Sequence, residues 1–305
     1  MKGNNQAYKL WLCLLCSFLL LPLEIQAQEK GDSITGKVHK IDEVTVTAER
    51  TKQQVKSSSP FQQLNKKQLQ QQGITDIADA LRRFSGVNIK DYGGAGGMKT
   101  ISVRSLGAKH TAVVYDGVTL SDCQSGQIDL SRFSIDNIQQ ISLTIGDNED
   151  IFVPARTVAS AAALKLQSIS PDFSNKKNHL TGQIKTGSFG MINPLIRYEQ
   201  KFNEKISAST TDEFMRADNL YPFTLVNGDY VSKEKRYNNN IQTYRGELNL
   251  YISPNNRSTL NGKIYYYDTD QQLPGAVILY NAKSREKLRE RNFFSQVHYR
   301  TYWEN

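Results

Sequence analysis

Val113-Val114-Tyr115-Asp116-Gly117-Val118 sets two β-branched runs either side of an Asp-Gly step. Glycine accepts the positive φ that a tight primed turn demands, so this stretch reads as a β-hairpin. Working outward, Gly93-Gly94-Ala95-Gly96-Gly97 cannot hold regular structure cheaply and reads as a loop. The pattern predicts strands over 87–90, 100–103, 111–115, 138–145 and 162–167, in one sheet. A glutamine-rich helix is expected over 64–72, ending at Gly73. A second helix places Ile77, Ala80, Leu81 and Phe84 on one face at i, i+3, i+4 and i+7, with Thr75 or Asp76 as its cap and Gly86 just past its end. Strands with intervening helices and no regular βαβ crossover predict an α+β domain. Within it, Arg104 is expected to pair with a carboxylate.

After about Pro171 the pattern changes to two-residue alternation. Leu180, Gly182, Ile184 and Thr186 alternate with polar residues, as do Leu248, Leu250 and Ile252, and Leu260, Gly262, Ile264 and Tyr266. Six such strands are counted, each with one apolar and one polar face, with tyrosines and a tryptophan near their ends. Short turns at 203–205 and 253–257 alternate with long polar loops at 217–237 and 269–291. Short turns on one side, long loops on the other and aromatic girdles point to an outer-membrane β-barrel. A soluble β-sandwich, whose strands also alternate, stays open as the second reading.

The N-terminus sets the compartment. Lys2 and Lys9 precede an apolar run over 10–23, and Ala27 offers a small residue for cleavage, so residues 1–27 read as a secretory signal peptide. Leu15 before Cys16 is not the small residue that a lipidation site requires. Cleavage removes Lys2, Lys9 and Glu24, taking 38 basic and 30 acidic residues to 36 and 29, a net charge of +7. Only Cys123 then remains, which rules out an internal disulfide and a cysteine-based metal site. Dispersed basic residues argue against nucleic-acid binding. No cofactor or metal is expected, because the four histidines stand at non-ligand spacing and no catalytic motif stands out. An enzyme is accordingly not expected. Asp147, Glu149 and Asp150 lack the spacing of a calcium loop and read as a solvated acidic turn.

Residues 28–60 form a polar tail with one β-prone island, Val44-Thr45-Val46-Thr47. It reads either as a segment that a partner captures by strand addition or as an ordinary first strand.

Taken together, these features resemble the TonB-dependent outer-membrane receptors. Residues 42–50 resemble the TonB box. Leu81-Arg82-Arg83-Phe84-Ser85-Gly86-Val87-Asn88 resembles the family's Pro-Gly-Val motif, with Ser85 for proline. Ile101-Ser102-Val103-Arg104-Ser105-Leu106-Gly107, the Asp116-Gly117-Val118 hairpin and Asn137-Ile138-Gln139-Gln140-Ile141 match further plug segments. The run from His110 to Leu130 is nearest to vitamin B12-type receptors. Gly146-Asp147-Asn148-Glu149-Asp150 then replaces the family's Arg-Gly-Pro turn, which marks a divergent subgroup.

The resemblance implies a signal peptide at 1–27, a flexible periplasmic tail at 28–60, an α+β plug domain at 61–171 and, over 172–305, the first antiparallel transmembrane β-strands of an incomplete 22-stranded barrel. Six strands fall below the about eight of the smallest barrels. The chain is therefore expected to be the N-terminal part of a longer receptor, unable to transport alone. The implied function is TonB-dependent import of a scarce nutrient, such as cobalamin or an iron chelate, across the Gram-negative outer membrane. The alternative is a secreted or surface β-rich binding protein without transport. TonB is expected to take Glu43, Val44, Thr45, Val46, Thr47 and Ala48. The nutrient is expected at Asp91, Tyr92 and Gly93, and at Ser121, Asp122, Cys123, Gln124 and Ser125. Outer-membrane lipids, and a surface lipoprotein as an optional partner, complete the implied contacts.

Overall fold

A computed structural model describes residues 59–93, 96–122, 125–146, 153–174, 176–255, 257–277 and 284–303. The first strand, β1 (Phe61–Asn65), pairs antiparallel with β6 (Ile138–Ile145), with Leu64 opposite Ile141. The helix expected over 64–72 thus starts later, as α1 (Lys66–Gln71). Asn65 ends the strand and caps the helix in one step. Its side chain accepts from Gln68 N at 3.0 Å, and the Gln68 side chain accepts from Asn65 N at 2.9 Å. The extended pairing of Leu64 buries it against the sheet, and this tertiary gain overrides the local helical preference.

The second helix, α2 (Ile77–Leu81), is capped by Asp76, whose Oδ1 accepts from Asp79 N at 2.7 Å. It buries Ile77, Ala78, Ala80 and Leu81. Next, β2 (Val87–Asp91) and β3 (Lys99–Val103) pair as a separate hairpin rather than joining the main sheet. The glycine-rich turn between them closes the pair on itself. The main sheet runs β1-β6-β7-β4-β5, where β4 is Thr111–Tyr115, β5 is Val118–Thr119 and β7 is Ala162–Ser168. The short helix α3 (Ala155–Val158) precedes β7, which lies parallel to β4. Asp116 and Gly117 have φ of 46° and 86°, as the primed turn requires. Leu81, Ile141, Leu143, Leu164 and Leu166 are fully buried between α2 and this sheet.

The second sheet holds six antiparallel strands in the order β15-β14-β13-β10-β9-β8. These are β8 (Asn178–Gly187), β9 (Met191–Lys201), β10 (Ile206–Ala217), β13 (Ile241–Asn255), β14 (Ser258–Leu273) and β15 (Glu286–Thr301). The loop 218–240 is not plain coil: it carries a hairpin of β11 (Pro222–Asn227) and β12 (Tyr230–Lys235), turned at Gly228 with φ 60°. Residues 218–240, 274–277 and 284–285 lie at one end of the sheet, and residues 202–205 and Arg257 lie at the other.

The faces of this sheet are inverted relative to a water-soluble protein. Asn193, Arg197, Thr211, Glu213, Glu247 and Lys263 are buried, while Ile196, Leu248, Ile264, Phe293 and Val297 on the opposite face are exposed. A soluble sandwich buries its apolar face, so the sandwich reading fails. An apolar outer band over a polar interior suits lipid outside and hydrated protein inside. The described strands form an open sheet, so neither closure nor the expected strand number is shown.

Candidate functional site

The polar face of the strands meets the α+β domain along a seam of charges, with one aromatic cluster in which Tyr265 and Phe294 of the wall pack on Tyr115 and Phe133. Where the β4–β5 turn meets the wall, Lys263 Nζ lies 2.6 Å from Asp116 Oδ2 and 2.5 Å from Glu247 Oε1. It also sits 4.1 Å from the centre of the Tyr115 ring. The Tyr115 hydroxyl donates to Glu247 Oε2 at 2.6 Å. Burial, with Glu247 and Asp116 close by, pushes the Tyr115 hydroxyl well above the usual phenol range, so it stays a neutral donor. Asp116 in turn accepts from the Ser168 amide and hydroxyl, both at 2.7 Å, which ties the turn to β7. Lys263 and Glu247 have side chains only 4% and 5% exposed, so Glu247 depends on Lys263 for its charge compensation, and Lys263 on Glu247 and Asp116 together.

Two arginines of the wall grip backbone carbonyls of the domain. Arg245 donates to Arg132 O at 2.9 Å and Ser131 O at 2.8 Å while pairing with Glu213 at 2.8 Å. Arg197 donates to Ile169 O at 2.6 Å and Asn137 Oδ1 at 2.8 Å while pairing with Glu199 at 2.7 Å. Nearby, Lys185 pairs with Asp136 at 2.5 Å. From the domain side, Arg132 bridges Asp122 at 3.3 Å and Glu290 at 2.7 Å. A cavity of about 300 Å³ opens in the seam, lined by Asp116, Gln139, Ser170, Asn261, Gln296 and His298 among others. A contact made of hydrogen bonds and ion pairs, with room for water beside it, can be exchanged for solvent contacts far more cheaply than a packed apolar one.

Among the described residues, the expected ligand residues Asp91, Tyr92 and Gly93 and, separately held, Ser121, Asp122 and Ser125 lie toward the long-loop end. Asp91 pairs with Arg82 at 2.8 Å and accepts from Gly93 N at 3.0 Å, and Tyr92 beside it is exposed. The same glycine-rich turn reaches the wall: a Cβ on Gly96 would stand 1.8 Å from Ile241 Cδ1. In the other group, Arg156 donates to Ser121, and Asp122 accepts from Ser125 N at 2.7 Å. Neither group lines the seam cavity. Cys123, Gln124 and residues 43–48 lie outside the described residues. Arg104 departs from expectation: it takes a positive φ of 49°, its side chain is exposed, and no carboxylate pairs with it among the described residues. Its role is in the turn, where its amide donates to Gly86 O at 2.8 Å.

Sequence reasoning missed the gripping residues Arg197, Glu213, Arg245, Glu247 and Lys263. Their signal was present: each is a charge at an inward position of an alternating strand, where a barrel with an empty interior has no need of paired ions.

Comparison with known proteins bears on this arrangement directly. Residues 53–152 match the family model described as the TonB-dependent Receptor Plug Domain. A vitamin B12 transporter of Vibrio vulnificus is 31% identical over 144 residues, which is 46% of this chain and 22% of the transporter. The ferric enterobactin receptor of Pseudomonas aeruginosa shares the fold with a TM-score of 0.56 at 14% identity, over 81% of this chain and 39% of the receptor. The ferric citrate transporter FecA gives a TM-score of 0.56 at 14% identity, over 80% of this chain and 37% of FecA. The chain thus spans about a fifth of the length of the curated relative it matches. Residues 53–152 are thus similar to the plug domain of TonB-dependent receptors, and an α+β domain seated on the polar face of antiparallel strands is the fold that the chain shares with the solved receptors.

Proposed function

We propose that the chain serves TonB-dependent import of a scarce nutrient, with its plug held in the pore by an exchangeable polar seam. The observation that carries this reading is the seam itself. Lys263, Arg245 and Arg197 hold the plug through ion pairs and backbone carbonyls, and the apolar part of the contact is one aromatic cluster of Tyr115 and Phe133 with Tyr265, Tyr267 and Phe294, so most of what a shift of the plug breaks can be remade with water. In this reading residues 1–27 direct export, residues 28–60 are the periplasmic tail, residues 61–171 are the plug and the wall begins at 172.

TonB takes Glu43 to Ala48 as an added strand, using backbone hydrogen bonds rather than side-chain specificity. The nutrient meets Asp91, Tyr92 and Gly93 and the loop from Ser121 to Ser125, both toward the long-loop end. The B12 transporter among the relatives makes a corrinoid the first compound to try.

The test is binding of the TonB C-terminal domain to the full chain in detergent. Proline at Val44 and Val46 removes two amide donors and blocks strand addition. Loss of binding in Val44→Pro/Val46→Pro, with retention in Val44→Thr/Val46→Thr, is expected. Equal binding by the proline variant contradicts the assignment.

A further inference from the structure

Lys287, Arg289 and Arg291 occupy successive outward positions on β15, the face that carries Phe293, Val297 and Tyr299 further along the strand. At about 3.4 Å per residue they span roughly 14 Å, all at the long-loop end of the apolar band. Their cross-strand neighbours are Gln272, Asp270 and Asp268. Asp268 draws both guanidinium groups together, with Arg291 Nε at 3.1 Å and Arg289 Nη2 at 3.4 Å. Each arginine carries five N–H donors, and Asp268 occupies few of them. Their side chains stay 44% and 56% exposed. Among the described residues of β14 and β15, three cations stand against two carboxylates on this border, which leaves it positive. Directly below it, Phe293 faces Tyr266 across the strands and opens the apolar band.

Cations set just beyond an apolar belt meet the headgroup layer, where anionic phosphate attracts them. The guanidinium fork matches phosphate oxygens two at a time. We propose that Lys287, Arg289 and Arg291 form a docking site for the phosphate headgroup of a membrane lipid in the leaflet on the long-loop side, with its acyl chains against Phe293 and Val297. The proposal rests on the reading of this face as lipid-facing.

The test uses the full chain in detergent, with native mass spectrometry counting retained dioleoyl phosphatidic acid against dioleoyl phosphatidylcholine. Retention of the phosphomonoester lipid at least tenfold above the zwitterionic one is expected. Lys287→Gln/Arg289→Gln/Arg291→Gln should abolish that preference, whereas Lys233→Gln/Lys235→Gln in the outer hairpin should keep it within twofold. Asp270→Asn removes the exposed carboxylate opposite Arg289 and should tighten binding about two- to threefold, a gain that a folding defect cannot mimic. An unchanged preference in the triple variant, weaker binding in Asp270→Asn, or an equal loss in the hairpin variant overturns the site. Displacement by millimolar inorganic phosphate assigns it to free anion instead and overturns the lipid. Failure of either lipid to bind at all counts against the lipid-facing reading itself.

Discussion

Replacing Lys263 by methionine removes the cation at the centre of the seam and leaves two carboxylates behind. Glu247 is 5% exposed and keeps only the Tyr115 hydroxyl and the Asn249 amide, at 2.6 and 2.9 Å. Asp116 is 24% exposed and keeps Ser168, so it suffers less. Breaking a buried pair by removing one partner costs about 3–5 kcal/mol, and the partial exposure of Asp116 puts this case near the lower end, about 3 kcal/mol. The loss falls on the β4–β5 turn and the β7 strand tied to it. Hydrogen exchange of the Thr111–Tyr115 amides, in the full chain in micelles, reads that local opening. Since about 1.4 kcal/mol is a factor of ten, protection should fall about a hundredfold. Adding Glu247→Gln and Asp116→Asn to Lys263→Met removes the stranded charges and should restore most of it. A fall of less than threefold in the single variant, or no recovery in the triple, refutes the reasoning.

Other outcomes follow from the same geometry. Leu164→Ala empties a fully buried site in the plug core and should cost about 2–5 kcal/mol, read as a lower urea midpoint for loss of plug amide protection. Gly96→Val forces a side chain at φ 95° into Ile241, and should raise protease cutting in the 92–98 turn severalfold. Burial alone would raise the Asp76 carboxyl, but the Lys99 ammonium and the Asp79 amide outweigh it and hold it below its ordinary value of 3.8. Its contribution to α2 is therefore present in full above about pH 4 and lost as pH falls through the lowered folded value. Exchange rates of the 78–81 amides measured from pH 6 to pH 3 should show this loss, and Asp76→Asn should flatten it. Asp76→Ala also removes the cap, at about 1 kcal/mol.

Much of this fold can be read from local chemistry. The Asp116-Gly117 hairpin, the strand over 138–145 and the six alternating strands all follow from turn residues and periodicity, because each signal lies within a few neighbours. What sequence reasoning lost depends on distant partners. Leu64 reads as helical until Ile141 is placed opposite it. The 87–91 and 99–103 strands look like members of the main sheet until the glycine turn closes them as a pair. The loop over 217–237 is polar enough to read as coil, although Gly228 allows it to fold back as a hairpin. The seam is the clearest case. Lys263 and Asp116 stand 147 residues apart in sequence by their numbers, and alternation places each on a face without saying what that face meets. The proposed ligand residues lie in turns, and turns alone do not say which side of the molecule they face; the approach of Gly96 to Ile241 puts the first group near the long-loop end.

The central claim is that one face of the strand wall grips the plug while the other faces lipid. Single spin labels at Leu248, Asn249, Leu250, Ile264, Tyr265 and Val297, in the full chain reconstituted into bilayers, test it through collision with oxygen and with a water-soluble nickel chelate. Oxygen contact should be high at Leu248, Leu250, Ile264 and Val297 and low at Asn249 and Tyr265, with the chelate excluded from the first four. Chelate access at those four positions, or no alternation between Leu248, Asn249 and Leu250, would contradict the account.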